Sequence, residues 1–364
     1  MASELSKETL TSAKQNEKKK DLITLAHGSG GAAMAGLINN ILKPIFNNSW
    51  LNEGEDQARI NMADLLADLA PSDQNRLAIT TDSYVINPIE FPGGDIGKLA
   101  ACGTLNDLAV GGAIPRFLSV SFILEEGLPV ERLAKMAHSI QQVAEQEGVA
   151  VVTGDTKVVP RGAADGLFVN TTGVGIIPSQ RSLGCRYIQP GDALIVNGQV
   201  GNHGAAIADV RDGLGFTSIL KSDCASLNNL IQSVLHQFSS VRCIRDATRG
   251  GVAAVANEFA QVSECDLELW EAELPLHDSV KAICELLGFD PLHLANEGNA
   301  LWVVDSSEKD AVLAQLLSHP LGRNARIIGE AKAAKSKPRV TAKNALGTSR
   351  IIDLPVGELL PRIC

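Results

Sequence analysis

Four aspartates in distinctive local contexts are the residues best placed to do chemistry: Asp56 in EDQARI, Asp82 in TTDSYV, Asp107 in GTLNDLAVGGAIP and Asp155 in TGDTK. Most of them stand at or near the end of an apolar segment or at a helix-to-turn passage, where side chains from different elements can converge on a hard cation. Oxygen-ligated magnesium bridging phosphates is the chemistry such carboxylates serve. Any one of them alone reads more simply as a cap or turn residue. The run HGSGG, residues 27–31, is the natural complement. Gly28, Gly30 and Ala33 satisfy a GxGxxA pattern, but no acidic residue follows at the spacing that holds a ribose. No Lys-Ser/Thr pair follows either, so a Walker A loop is excluded. A glycine loop closing over a phosphate chain remains, beside the plainer reading of a structural turn.

Further polar candidates are Lys157, two residues beyond Asp155, Glu297 in ANEG, and the turn RDATRGG at 245–251. A lysine after a metal-binding aspartate can stabilise charge on a developing phosphate, whereas Glu297 in isolation reads as a loop cap. The sequence ends on Cys364, with Arg362 two residues before it. A thiol at the end of an extended segment can enter one active site to receive a group and another for chemistry, which a cysteine on a rigid element cannot do.

These residues need elements to position them. Leu22 to Ala26 reads as a strand, 27–31 as a turn, and Met34 to Ile45 as a helix with apolar positions at Leu37, Ile38, Ile41, Leu42 and Ile45. Strands are expected at 76–81, 119–124, 149–154 and 168–177, and helices at 94–110 and 129–147. That alternation describes one α/β domain over 21–180. Residues 181–192 form a connection, and 193–198 opens a second series with helices near 227–237, 251–261 and 308–317. The expected organisation is a disordered 1–20, domains at 21–180 and 181–345, and an extended tail from 346 to 364, where Pro355 and Pro361 disfavour helix.

At 364 residues two cores are the expectation. The formal net charge of −10 and 4% aromatic content oppose nucleic-acid binding. No apolar run is long enough for a signal peptide or a membrane span, so a cytoplasmic location is expected. Seven cysteines, an odd number without a CxxC pair, favour reduced thiols over disulfides or structural zinc.

Taken together, FPGGDIGKLAACGTLNDLAVGGAIP, with TTDSYV before it and TGDTK after it, resembles the nucleotide-binding domain of the AIR-synthetase-like (PurM-like) superfamily. HGSGG, EDQARI, DSYVINPIEFPGGDIG, GDTKV, RDATRGG, ANEG and the terminal PRIC resemble, in that order, the hydrogenase-maturation carbamoyl dehydratases, the HypE family. The resemblance implies an α/β (α+β) two-domain fold that dimerises through its first domain and uses ATP and Mg²⁺. It places Asp56, Asp82, Asp107 and Asp155 on magnesium, and His27, Gly28, Gly30, Gly31, Asn106, Thr156, Asp246 and Arg249 near the nucleotide or the tail channel. It makes Cys364 the carrier of an S-carbamoyl group dehydrated to S-cyanate, with Glu297 as base and Lys157 as electrophilic helper. The implied partners are the carbamoyltransferase HypF and the HypC–HypD iron scaffold. Two positions depart from the pattern: Asn202 stands where Asp is usual and Asn299 where Lys is common. The rival readings are selenophosphate synthesis, opposed by the lack of a Cys near HGSGG, and a non-catalytic carrier that presents Cys364.

Overall fold

The computed structural model describes residues 22–53, 57–69, 72, 74–216 and 219–354. Asp56, Cys364 and the 1–20 segment lie outside the described residues.

The first domain is built on a four-stranded sheet of order β1-β6-β4-β5. Its strands are β1 (Arg76–Tyr84), β4 (Ile114–Glu125), β5 (Ala150–Val159) and β6 (Leu167–Ile177), and the short pair β2 (Glu90–Phe91) and β3 (Gly94–Asp95) lies between β1 and β4. A helix over Ala32–Leu37 (α1) continues through a π-turn, Ile38–Leu42, into Lys43–Ile45. Leu22 to Ala26 is not a strand. Leu22 makes an isolated bridge to Pro129, and Leu25–Gly28 is a 3-10 turn.

Helix α2 (Ile96–Val110) is the central element. Asp95 caps it by accepting from Lys98 N–H at 2.9 Å, and nearly every residue along it is buried. Gly97 allows close approach: a Cβ there would sit 2.1 Å from the Met136 carbonyl oxygen on α3 (Val130–Gln146).

After a connection that contains the 3-10 turn Cys185–Tyr187 comes a seven-stranded sheet of order β13-β12-β9-β11-β7-β10-β8. The strands are β7 (Ala193–Val196), β8 (Val241–Asp246), β9 (Cys265–Trp270), β10 (Ala300–Val304), β11 (Arg326–Ala333), β12 (Val340–Lys343) and β13 (Ser349–Ile352). Its helices are α4 (Asn202–Asp212), α5 (Asn228–Leu235), α6 (Gly251–Ser263), α7 (Asp278–Leu287) and α8 (Lys309–Ser318). β13 pairs antiparallel with β12, so 349–352 belongs to this sheet although the sequence assigns it to the tail. Among the described residues no helix is long and apolar enough to cross a membrane.

Both β1 and β5 run further than sequence patterning indicates, which puts Asp82 and Asp155 inside strands rather than at their ends.

Candidate functional site

Helix α2 lies between the two domains, and consecutive residues of its last turns do different work. Asn106 is 1% exposed; its amide donates to Ala225 O at 3.1 Å and accepts from Leu227 N–H at 2.7 Å. The side chain is therefore engaged by the backbone of the second domain, while a role near the phosphates, as the resemblance implies, would draw on its remaining N–H. Asp107, one residue on, turns into a pocket where Thr80 Oγ1 donates to its Oδ2 at 3.0 Å.

Asp82, Tyr84, Gly103, Asp246, Thr248, Arg249 and Glu297 complete the lining of that pocket. Each arrives for a local reason. Thr80, Asp82 and Tyr84 alternate onto one face of β1. Gly103 leaves room for the Tyr84 phenol, since a Cβ there would lie 2.3 Å from its oxygen. Asp246 ends β8, and the following turn reverses through the left-handed glycines Gly250 and Gly251, leaving Arg249 Nη2 3.9 Å from Asp82 Oδ1. The pocket continues into a cavity of about 610 Å³ along β8 and the 183–185 connection.

The ANEG loop is organised by a residue that sequence reasoning missed. Asp223 accepts from Glu297 N–H at 3.1 Å, Gly298 N–H at 3.2 Å and the Asn296 amide at 2.8 Å. This fixes the loop and aims the Glu297 side chain inward, where its Oε1 is buried with no hydrogen-bond partner. Burial, then the nearby Cys224, Asp246, Asp223 and Asp82, hold the Glu297 carboxyl well above its usual range. Asp246 is pushed up to about 7, first by burial and then by Asp107 and, less, by Asp82. Asp107 is likewise raised, mainly by burial. An acidic pocket with an unpartnered buried oxygen fits a cation. Among the described residues no three His, Cys, Asp or Glu groups converge closely enough to hold a metal alone. A magnesium ion here would thus take most of its ligands from phosphate oxygens and water.

These shifts carry a pH dependence. The raised carboxyls bind more protons in the folded state than in the unfolded chain between about pH 4 and 7, so stability contributed by their neutral forms is lost as pH rises through that window. The ligand-free protein is expected to lose a few degrees of melting temperature between pH 5 and pH 7.5. Asp246→Asn should flatten part of this slope, and an unaltered slope in scanning calorimetry would remove Asp246 as a contributor.

The remaining sequence candidates gather elsewhere. Asp155 accepts from Lys157 Nζ at 2.8 Å, and this hydrogen bond holds its carboxyl below the usual range. Thr156 is buried and gives its N–H to Asp155 at 2.8 Å. Gly28 packs onto the same strand, because a Cβ there would lie 2.7 Å from the Val158 nitrogen. His27 is turned back on its own loop, accepting the Thr24 N–H at 3.0 Å, while Gly30 and Gly31 are exposed at the start of α1.

This glycine-loop group is not next to the acidic pocket in the same chain. Asp155 aligns with Ser121, Asn170 and Ser83 across the sheet, and Asp82 aligns with Thr171, Val120 and Gly154. Aligned residues share a face and adjacent ones do not, so Asp155 and Asp82 point to opposite faces. They also lie on opposite edge strands, three strand spacings or roughly 14 Å apart. The convergence of these aspartates expected from sequence therefore holds for Asp82 and Asp107, joined by Asp246 and Glu297, and does not include Asp155 within one chain.

The chain matches the AIR synthase related protein N-terminal domain over residues 54–177 and the corresponding C-terminal domain over 189–341. It is 52% identical over 342 residues to the carbamoyl dehydratase HypE of Escherichia coli K12, covering 94% of this chain and 99% of that one. The chain belongs to the HypE family of carbamoyl dehydratases. A crystal structure of a HypE in complex with ATP superposes with a TM-score of 0.86 at 41% identity, covering 93% of this chain and 99% of that one. The HypE chain of a HypE–HypF complex gives 0.74 at 39% identity, covering 89% and 100%.

Within this HypE-family chain one of the two departures, Asn299, has a local explanation. Asn299 accepts from Gly198 N–H and donates to the Gly198 and Gln199 carbonyls, at 3.0, 3.0 and 3.2 Å, stitching the turn after β7. Asn202 donates to Gln199 Oε1 at 3.3 Å, and its Oδ1 is buried without a partner.

Proposed function

We propose that this chain dehydrates an S-carbamoyl group on its own Cys364 to an S-cyanate at the expense of ATP, supplying cyanide ligands for the iron of nickel-iron hydrogenase. The observation that carries this reading is the Glu297 carboxylate, buried and unpartnered in a pocket shared with Asp82, Asp107 and Asp246. A carboxyl of raised basicity, whose ionised form a cation bound in the same pocket would favour, suits removal of protons from a weakly acidic N–H. The ATP-bound relative and the HypE–HypF complex support nucleotide and carbamoyltransferase as ligands. HypC–HypD is the proposed acceptor of the cyano group.

In this scheme the carbamoyl oxygen takes the γ-phosphoryl group, converting a poor leaving group into phosphate. Both N–H protons then leave, Glu297 taking the one lost as the C–O bond breaks. The products are the thiocyanate, ADP, phosphate and a proton. Magnesium, when bound beside Asp82 and Asp107, would spread the phosphoryl charge. Arg249, at the pocket rim, can hold a phosphate oxygen or orient Asp82. The segment leading to Cys364 is suitably placed at its origin: His293 Nε2 lies 3.2 Å from Asp353 O, and Gly251 packs against the Leu292 carbonyl beside it.

The glycine-loop half, with Lys157 and Asp155, joins this site from a second copy of the chain. Leu77 and Ile79, 55% and 64% exposed, and Ile123, 40% exposed, form an apolar outer face suited to pairing two sheets. A mixture of Asp82→Asn and Lys157→Ala chains, each impaired alone at subsaturating Mg-ATP, should show more activity than the mean of the two, because a mixed dimer holds one site with both halves intact. No excess over the mean after verified subunit exchange would place both halves in one chain.

Mass spectrometry of the C-terminal peptide, after incubation with carbamoyl donor, transferase and ATP, tests the central reading. The cyano form is expected, with phosphate release that requires the loaded thiol. A chain that is loaded and binds ATP yet releases no phosphate would be a carrier instead. Asp82→Asn and Asp107→Asn should each raise the KM for Mg-ATP by at least about tenfold, the scale for disturbing a metal environment, while circular dichroism stays native. Unchanged KM and magnesium dependence in both would refute the metal assignment.

A further inference from the structure

Away from the acidic pocket, the wall of the larger cavity carries two thiols in contact. Cys185 Sγ lies 3.6 Å from Cys243 Sγ. The first sits on the 3-10 turn of the interdomain connection and is half-buried, and the second is 3% exposed on β8. Both line the cavity, together with Arg245 and Glu258. The two backbones are already tied, since Gly184 N–H donates to Arg242 O at 2.9 Å.

We infer that Cys185 and Cys243 form a reversible dithiol–disulfide pair that exchanges with low-molecular-weight disulfides entering the cavity, Cys185 attacking and Cys243 resolving. The Cys185 thiolate attacks one sulfur of the incoming disulfide, breaking its S–S bond and releasing one small thiol. Cys243 then loses its proton and attacks the Cys185 sulfur of the mixed disulfide, releasing the second small thiol. Two protein thiols are oxidised and one small disulfide is reduced to two thiols. The sulfurs must close to about 2.05 Å, a movement that a single 3-10 turn in a connecting segment can make.

The division of labour follows from access and charge. Contact with Cys243, reinforced by Arg245, holds the Cys185 thiol down at about 6 despite its partial burial, so its thiolate predominates at neutral pH and is the competent nucleophile. The same contact and burial push Cys243 up, as suits a buried resolving group. Cys102 and Cys224 supply a built-in contrast. They also influence each other's ionisation but are 0% and 2% exposed, so no reagent reaches them in the folded protein.

Treatment of the reduced full-length protein with oxidised glutathione, acid quenching, alkylation and peptide mapping tests the inference without reference to ATP or to the carbamoyl reaction. The expected products are a Cys185–Cys243 linked peptide in the native sequence, a glutathione adduct on Cys185 in Cys243→Ser, and loss of modification at Cys243 in Cys185→Ser. All should revert with dithiothreitol. Modification of Cys364 with the 185–243 pair left as free thiols would overturn the proposal. So would reaction of Cys243 in Cys185→Ser at the rate seen for Cys185. Equal labelling of Cys102 and Cys224 would also overturn it, by showing that the reagent reads unfolded chains.

Discussion

Cys364→Ala is expected to abolish cyano-group formation completely while leaving the protein folded. The sulfur is the atom to which the substrate is bonded in the proposed reaction. No other thiol can replace it, because each of the remaining cysteines lies on an ordered element or connection of the domains. The stability change is expected to stay within about 0.5 kcal/mol. Carbamoyl-dependent phosphate release should vanish along with the product. Adding one glycine after Cys364 is a finer test, since it keeps the thiol but moves the terminal carboxylate, and severe impairment is expected. Persistent carbamoyl-dependent phosphate release from Cys364→Ala would mean that Cys364 is not the substrate carrier.

Glu297→Gln should lower turnover by about 10²- to 10⁴-fold, the usual contribution of a positioned general base. The backbone bonds to Asp223 do not involve the side chain, and glutamine matches glutamate in size. The loop should therefore hold its shape and ATP binding should persist. Removing a carboxylate whose ionisation is opposed by burial should leave stability equal or higher at neutral pH. The loaded carbamoyl form is expected to accumulate in the C-terminal peptide. Conversion at the native rate would show that another group takes the proton.

Much of the acidic pocket was legible in the sequence, because Asp82, Asp107, Asp246, Arg249 and Glu297 each sit in a short motif with a distinctive neighbourhood. What sequence could not show is which face of a strand each residue takes relative to residues on other strands. Asp155 and Asp82 both looked like strand-end carboxylates, and register across the sheet separates them. Both strands were read short because β1 and β5 are edge strands carrying exposed polar residues, so apolar periodicity fades before pairing does. The interdomain role of Asn106 is invisible in sequence because a helix gives no sign of which side chains a neighbouring domain engages. Asp223 had no signal at all: KSDCAS matches no pattern, and its role exists only through the loop folded around it. In the second domain the short buried strand β10, ALWVV, gives no clear signal because an apolar run of that length does not distinguish strand from helix, and β8, VRCIRD, interrupts its apolar residues with two arginines.

The adjacency of Asn106 and Asp107 links two equilibria. The first residue fastens the second domain's 225–227 backbone to α2, and the next lines the ligand pocket, with no flexible residue between them. Hinge opening large enough to break the Asn106 contacts would carry β8 and the ANEG loop away from Asp107. Ligand bound across Asp107, Asp246 and Glu297 therefore opposes hinge opening by its own binding free energy. A filled pocket thus adds to the ties between the domains, and Asn106→Ala would weaken that coupling only in part, since Gln232 also donates to the Ala113 carbonyl and Asn228 to Glu147.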